Sequence, residues 1–134
     1  MAKGITPIDQ SGVYETAAWG NEGVPAYYNQ ILKVTTDLNP HDLLQTCLSI
    51  EKVLGRKREE KWSSRTMDID IIYYGTWVIL GPDLKVPHPY RADRKFITTM
   101  LADLDPDLTD PIHRVTMKEL NEKCKDILEV TLIS

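Results

Sequence analysis

The sequence predicts an α+β fold with helices packed on an antiparallel sheet, and three observations carry that prediction. Short runs rich in β-branched and aromatic residues open the chain and recur in its middle, and residues 66–74 alternate up to Gly75. Between them lies a segment with its own helix start, Asn39-Pro40, and its own stop, Gly55. Two further helical patterns then follow one another toward the C-terminus. With 134 residues, 42% hydrophobic and 27% charged, the chain has the size and composition of one soluble globular domain spanning 1–134.

Taken in order, residues 5–8 and 11–16 read as strand, and residues 17–25 as a loop punctuated by Gly20, Gly23 and Pro25. Residues 27–36 read as a second strand, with Asn29 beside Tyr27 and Tyr28. Such an asparagine either caps a turn at the rim or offers a planar hydrogen-bonding group to a flat heterocycle. Asn39 as cap, Pro40 at the first helical position and Asp42 in the first turn open a helix. Leu43, Leu44, Cys47, Leu48, Ile50 and Leu54 give it a buried face, and Gly55 ends it. Glu51, near its end, reads by itself as an exposed glutamate, with Arg58 as a candidate partner.

Residues 66–74 read as a buried strand, with Asp68, Asp70, Ile72 and Tyr74 on one face and Met67, Ile69, Ile71 and Tyr73 on the other. Residues 78–80 form a short strand, Gly81-Pro82-Asp83 a turn, and Pro87 and Pro89 hold His88 in a stiff extended segment. Residues 94–104 read as a helix with Phe96, Ile97, Met100, Leu101 and Leu104 inward, broken at Asp105-Pro106-Asp107. Thr116 and Glu119 make a capping box for a last helix through Leu120, Cys124 and Ile127.

The chemistry centres on the two same-face aspartates. Two carboxylates on a mostly apolar strand repel and lose hydration unless a cation lies between them. Magnesium suits an open carboxylate pair, because it keeps water and substrate phosphate as its other ligands. Taken alone, Asp-x-Asp is more often a solvated strand end. Just upstream, residues 56–65 carry Arg56, Lys57, Arg58, Lys61 and Arg65 against Glu59 and Glu60, net +3 in a chain of net −4. A cationic segment leading into a carboxylate pair is what a polyphosphate requires: guanidinium forks on its oxygens and a metal between phosphate and carboxylate. His88, near Lys85, Arg91 and Arg94, is suited to touch phosphate, although a lone histidine is more often a packing residue.

The acidic balance argues against broad nucleic-acid binding. No apolar run reaches the ~20 residues of a membrane span, and the first residues lack a signal-peptide core, so a cytoplasmic location is expected. Cys47 and Cys124 have no metal-ligand spacing and read as reduced packing residues.

Arg65-Thr66-Met67-Asp68-Ile69-Asp70, Val86-Pro87-His88-Pro89, Arg94-Lys95-Phe96, Tyr27-Tyr28-Asn29, Ile50-Glu51 and Gly55-Arg56-Lys57-Arg58, in this order and spacing, resemble the hydroxymethyldihydropterin pyrophosphokinase family of folate biosynthesis. The resemblance implies a ferredoxin-like arrangement and transfer of the terminal pyrophosphoryl group of ATP to the pterin hydroxymethyl oxygen, releasing AMP. It implies that Asp68 and Asp70 hold two Mg²⁺ ions. Arg58, Lys61 and Arg65, with His88, grip the phosphates, and Glu51 and Lys85 join the nucleotide site. It further implies that Tyr27 and Phe96 sandwich the pterin, that Asn29 and the Thr16 region match its polar edge, that Arg94 closes over the site, and that Trp62 belongs to a sealing loop. ATP and the pterin are then the small-molecule partners, and the family state is a monomer.

The chain departs from the family pattern at Ala17-Ala18-Trp19, Leu48, Lys61 and Asp83, positions expected to affect nucleotide affinity and loop closure. It also begins without the family's apolar strand and Gly-Ser-Asn-Leu-Gly loop, so a first strand and helix are expected to be absent. Unpaired strand edges, self-association and weak catalysis are then expected. Two rivals keep the same motifs: a non-catalytic nucleotide- or partner-binding module, and a magnesium-dependent nucleotidyltransferase, which would need a third carboxylate.

Overall fold

The computed structural model describes residues 4–16, 27–56 and 67–134, the side chains of 55 and 56 excepted. In chain order the elements are β1 (Ile5–Gln10), β2 (Tyr14–Thr16), β3 (Tyr27–Asn29), β4 (Leu32–Thr36), α1 (Pro40–Arg56), β5 (Ile79–Leu80), β6 (Lys85–Val86), α2 (Lys95–Leu104), α3 (Met117–Lys123) and β7 (Val130–Leu132). The class is α+β, as expected, and among the described residues the strands lie in three small sheets ordered β1-β4, β3-β2-β7 and β5-β6. The chain divides into two compact units, Met1–Thr6 with Thr35–His88, and Pro7–Val34 with Pro89–Ser134.

In the first unit α1 starts where its sequence signals place it. The Asn39 side chain accepts the Asp42 N–H at 2.8 Å, which satisfies one of the donors a helix start leaves open. Leu43 and Cys47 form its buried stripe, with Ile50 and Leu54 half-buried. Leu48 departs from the expected face. It is 47% exposed, because it lies about 100° around the helix from Cys47. Burial pushes the Cys47 thiol up, and Glu51 one turn later adds to the shift, so this cysteine stays a protonated packing residue. A tight hairpin, β5-β6, closes on the Gly81 N–H to Leu84 carbonyl bond.

The strand expected over 66–74 does not form across its described part. Among the described residues, 67–74 have no ladder partner; Asp68 and Asp70 are exposed, and 71–74 are uniformly half-buried, so no alternation between faces is sustained across the stretch. Alternating sequence specifies which face a side chain takes only once a neighbouring strand receives the backbone. Here single tethers replace a ladder. The Ile72 carbonyl accepts the His88 N–H at 2.8 Å, and the Tyr74 hydroxyl donates to the Leu38 carbonyl at 2.5 Å. Tyr74 also meets Trp77 edge-to-face at 5.6 Å across the Gly75 turn.

In the second unit β2 is the central strand, with β3 and β7 antiparallel on either side of it. The expected single strand over 27–36 is divided into β3 and β4 at residues 30–31. The break is made by Ser11. Its N–H donates to the Ile31 carbonyl at 2.9 Å, its hydroxyl accepts the Ile31 N–H at 3.0 Å, and its carbonyl accepts Gln30 Nε2 at 2.9 Å. Both chain segments therefore leave one sheet for another at the same point.

α2 and α3 pack together, and α2 also lies against β2 and β7. Ile97, Met100, Leu101, Met117 and Leu120 make the core between them. Asp103 ties α2 to β2, accepting the Gly12 N–H at 2.9 Å and the Tyr14 hydroxyl at 3.0 Å. Burial, and then this bond and charge, push the Tyr14 pKa up. A Cβ on Gly12 would lie 2.6 Å from the Leu132 side chain and 3.0 Å from the Ser134 carbonyl, so only glycine lets β7 approach this closely.

α3 has the expected capping box, but it ends at Lys123 instead of continuing through Cys124 and Ile127. Ile127 is 98% exposed. The Asp126 carboxylate turns the chain there by accepting the Leu128 N–H at 3.0 Å, and β7, which the sequence reading missed, follows.

Candidate active site

The first unit holds the described residues expected at metal and phosphate. Glu51 comes from the last turns of α1, and its Oε2 accepts the Ile69 N–H at 2.5 Å. Ile69 lies between Asp68 and Asp70, so the helix holds the backbone at the residue that both aspartates flank. Glu51 is thus half-buried and engaged, not the exposed glutamate its sequence context suggests. Three residues beyond Ile69, the Ile72 carbonyl takes the His88 N–H, which brings the Pro87-His88-Pro89 segment alongside the same stretch. His88 is half-buried, and Lys85 is exposed on β6. Arg58, Lys61, Trp62 and Arg65 lie outside the described residues.

Asp68 and Asp70 offer oxygen donors only and are exposed. Among the described residues no three His, Cys, Asp or Glu side chains converge as a metal cage. An oxygen-only pair that leaves most of a coordination sphere to water or phosphate fits magnesium and does not fit a structural zinc site.

The second unit holds the residues expected at the flat ring. Thr16 is buried at the end of β2 and stands opposite Tyr27 in the β2-β3 register. Asn29 Nδ2 donates to Thr16 Oγ1 at 3.3 Å, so one amide hydrogen is spent on the sheet. Tyr27 is 57% exposed. Arg94 immediately precedes α2 as its N-cap residue, with its guanidinium 5.1 Å over the Tyr90 ring. Phe96, in the first turn of α2, is half-buried beside the buried Ile97. Before this helix, buried Arg91 donates from Nε to Asp110 Oδ2 at 2.6 Å and from Nη2 to Oδ1 at 3.1 Å. That clamp holds the turn leading to Arg94. Sequence reasoning missed it and the Asp103 tie, since partners 19 and 89 residues apart leave no local pattern.

Residues 1–106 match the model of the 7,8-dihydro-6-hydroxymethylpterin-pyrophosphokinase (HPPK) family. The chain belongs to this family. Among HPPK relatives, a 2-amino-4-hydroxy-6-hydroxymethyldihydropteridine pyrophosphokinase of Aquifex aeolicus is 42% identical over 109 residues, covering 81% of this chain and 68% of the relative. The enzyme of the same name from Methylorubrum extorquens is 38% identical over 105 residues, 78% of this chain and 66% of the relative. A folic acid synthesis protein of Pneumocystis carinii is 36% identical over 124 residues, 92% of this chain and 17% of that protein. The chain spans about two thirds of the length of these bacterial HPPK relatives. Every candidate site residue, from Thr16 to Phe96, falls within the HPPK match, whereas α3 and β7 fall beyond it. No helix among the described residues is long and apolar enough to cross a membrane.

Proposed function

We propose that residues 1–134 act as one ATP- and magnesium-dependent pyrophosphokinase domain in folate biosynthesis, working in the cytoplasm as a monomer. The reaction transfers the terminal pyrophosphoryl group of ATP to 6-hydroxymethyl-7,8-dihydropterin. The hydroxymethyl oxygen bonds to the β-phosphorus, the bond from that phosphorus to the oxygen it shares with the α-phosphorus breaks, AMP leaves, and the hydroxyl proton is released. The observation that carries this reading is the Glu51 bond to Ile69, which anchors the residue between Asp68 and Asp70 inside the family-matched segment.

Two Mg²⁺ ions held by Asp68 and Asp70 would neutralise phosphate charge, worth several kcal/mol in the transition state. Arg58, Lys61, Arg65 and His88 bind phosphate oxygens, and Glu51 and Lys85 border the nucleotide. Tyr27 and Phe96 stack on the pterin, Asn29 and Thr16 read its edge, and Arg94 and Trp62 close over it. Such a site acts by positioning and electrostatics, with no covalent intermediate. Incubation with ATP, magnesium and the hydroxymethyldihydropterin, followed by chromatography, should yield AMP and pterin diphosphate in equal amounts. ADP in place of AMP, or no nucleotide turnover with the pterin present, would overturn the proposal.

A further inference from the structure

The start of α2 lacks the usual device for a helix N-terminus. Its N-cap residue, Arg94, is extended (φ −116°, ψ 117°) and makes no side-chain cap bond, and the first turn contains no acidic residue. A helix start leaves several N–H groups needing partners. Here one acceptor comes from elsewhere in the chain: Asp126 Oδ2 accepts the Lys95 N–H at 3.0 Å. The other oxygen of the same carboxylate, Oδ1, accepts the Leu128 N–H at 3.0 Å and so locks the segment from which Asp126 projects. A second tie lies alongside, with Lys95 Nζ donating to the Asn121 carbonyl at 2.9 Å and Thr98 Oγ1 donating to Asn121 Oδ1 at 2.9 Å. The Ile97 and Thr98 N–H groups both return to the Arg94 carbonyl, at 3.0 and 3.1 Å, and close the turn on that residue.

We propose that Asp126 is a positioning residue for substrate binding, a remote cap that holds the Arg94–Lys95 peptide and thereby aims Arg94 and Phe96, which flank its anchor point. Asp126 lies beyond the family-matched residues, so this device belongs to the segment that follows the match. The Lys95 N–H, then the Leu128 N–H, and then the charges of Arg94 and Lys95 hold its carboxyl below the usual aspartate range, as an ionised cap requires. The inference rests on the reading that Arg94 and Phe96 engage the pterin.

The test measures the affinity of fluorescent 6-hydroxymethylpterin in the presence of magnesium and a non-hydrolysable ATP analogue. Affinity for the analogue alone and the urea midpoint are measured on the same proteins. Asp126→Ala should weaken pterin binding about tenfold while leaving affinity for the analogue unchanged, as loss of one charge-assisted hydrogen bond predicts. Asp126→Asn, which keeps an acceptor oxygen, should recover most of that loss. Lys95→Pro removes the same backbone bond from the donor side, together with the Lys95 Nζ tie to Asn121, in a position where proline fits a helix start and where Arg94 is already extended, so it should weaken pterin binding at least as much as Asp126→Ala. It decides the matter if Asp126→Ala does not fold. A lowered urea midpoint with unchanged pterin affinity would overturn the positioning role. Unchanged pterin affinity in Phe96→Ala would instead remove the reading of the site on which the inference rests. Weakening by Phe96→Ala but not by Asp126→Ala or Lys95→Pro would overturn the remote cap alone.

Discussion

Replacing Glu51 by alanine removes the acceptor that fixes the peptide between the two aspartates. A hydrogen bond to a charged group contributes about 1.5–3 kcal/mol, and half-exposure to solvent places this one at the lower end, about 1.5–2 kcal/mol. If that loss falls on the arrangement that presents Asp68 and Asp70, apparent affinity for magnesium with nucleotide drops about ten- to thirtyfold. Glu51→Gln keeps a neutral acceptor worth about 0.5–1.5 kcal/mol, so it should lose less free energy than Glu51→Ala, about half as much at the middle of the two ranges. Calorimetric titration with a non-hydrolysable ATP analogue and Mg²⁺, paired with urea unfolding of each variant, measures both effects. Wild-type affinity and an unchanged unfolding midpoint in Glu51→Ala would refute the anchoring role. A Gln variant no better than the Ala variant would show that the negative charge, and not the acceptor geometry, is what matters.

Asp68→Ala and Asp70→Ala should each lower AMP release at least about a hundredfold, the loss expected from several kcal/mol of metal-stabilised charge; equal turnover in both variants and wild type would sink the assignment. Phe96→Ala and Tyr27→Ala should each weaken pterin binding about tenfold, from base–aromatic stacking of about 1–3 kcal/mol, with nucleotide affinity retained; fluorescence titration decides it. Arg91→Ala leaves Asp110, which is 0% exposed, without its guanidinium partner and should cost about 3–5 kcal/mol in urea unfolding, where a loss below about 1 kcal/mol would contradict the clamp. Glu119 has its pKa lowered from 4.5 by the Thr116 backbone bond first, so its capping contribution is complete above the unfolded value and lost as pH falls through the folded one. Glu119→Gln should therefore flatten the acid limb of the stability profile, and an unchanged limb would argue against the box.

The starts of α1 and α3 were legible because their signals are local, whereas the start of α2 takes its acceptor from Asp126, 31 residues away. Asn39 binds the Asp42 N–H three residues away, and Thr116 and Glu119 satisfy each other across one turn, so both of these starts are encoded within four residues. Strands require a partner, and the partner is a tertiary fact. Residues 66–74 have the composition of a strand, yet their described part has no ladder partner among the described residues and is held by isolated bonds from Glu51 and His88. The division of 27–36 was hidden for the same reason, since Ser11, about twenty residues upstream, supplies the groups that interrupt it. β7 is hidden in the sequence because the helical pattern of apolar residues runs on to Ile127, although Val130, Thr131 and Leu132 follow with strand composition.

The candidate site divides along the same line. Residue type and spacing identified the carboxylate pair, the proline-flanked histidine and the aromatic-asparagine cluster, because chemistry depends on which groups are present. What holds those groups in place depends on distant contacts: a helix carboxylate on Ile69, a hydroxyl at Thr16 under Asn29, and carboxylates of Asp103, Asp110 and Asp126 around α2 and its approach. Three of those five anchors are aspartates that an isolated reading assigns to solvent. A charge-assisted bond to a backbone N–H or a guanidinium is among the few interactions strong enough for one surface-type residue to set the orientation of its neighbours. In this chain the acidic residues therefore act in two distinct ways. Asp68 and Asp70 are exposed on the peptide stretch that Glu51 anchors, whereas Glu51, Asp103, Asp110 and Asp126 direct their carboxylates at groups of the chain itself.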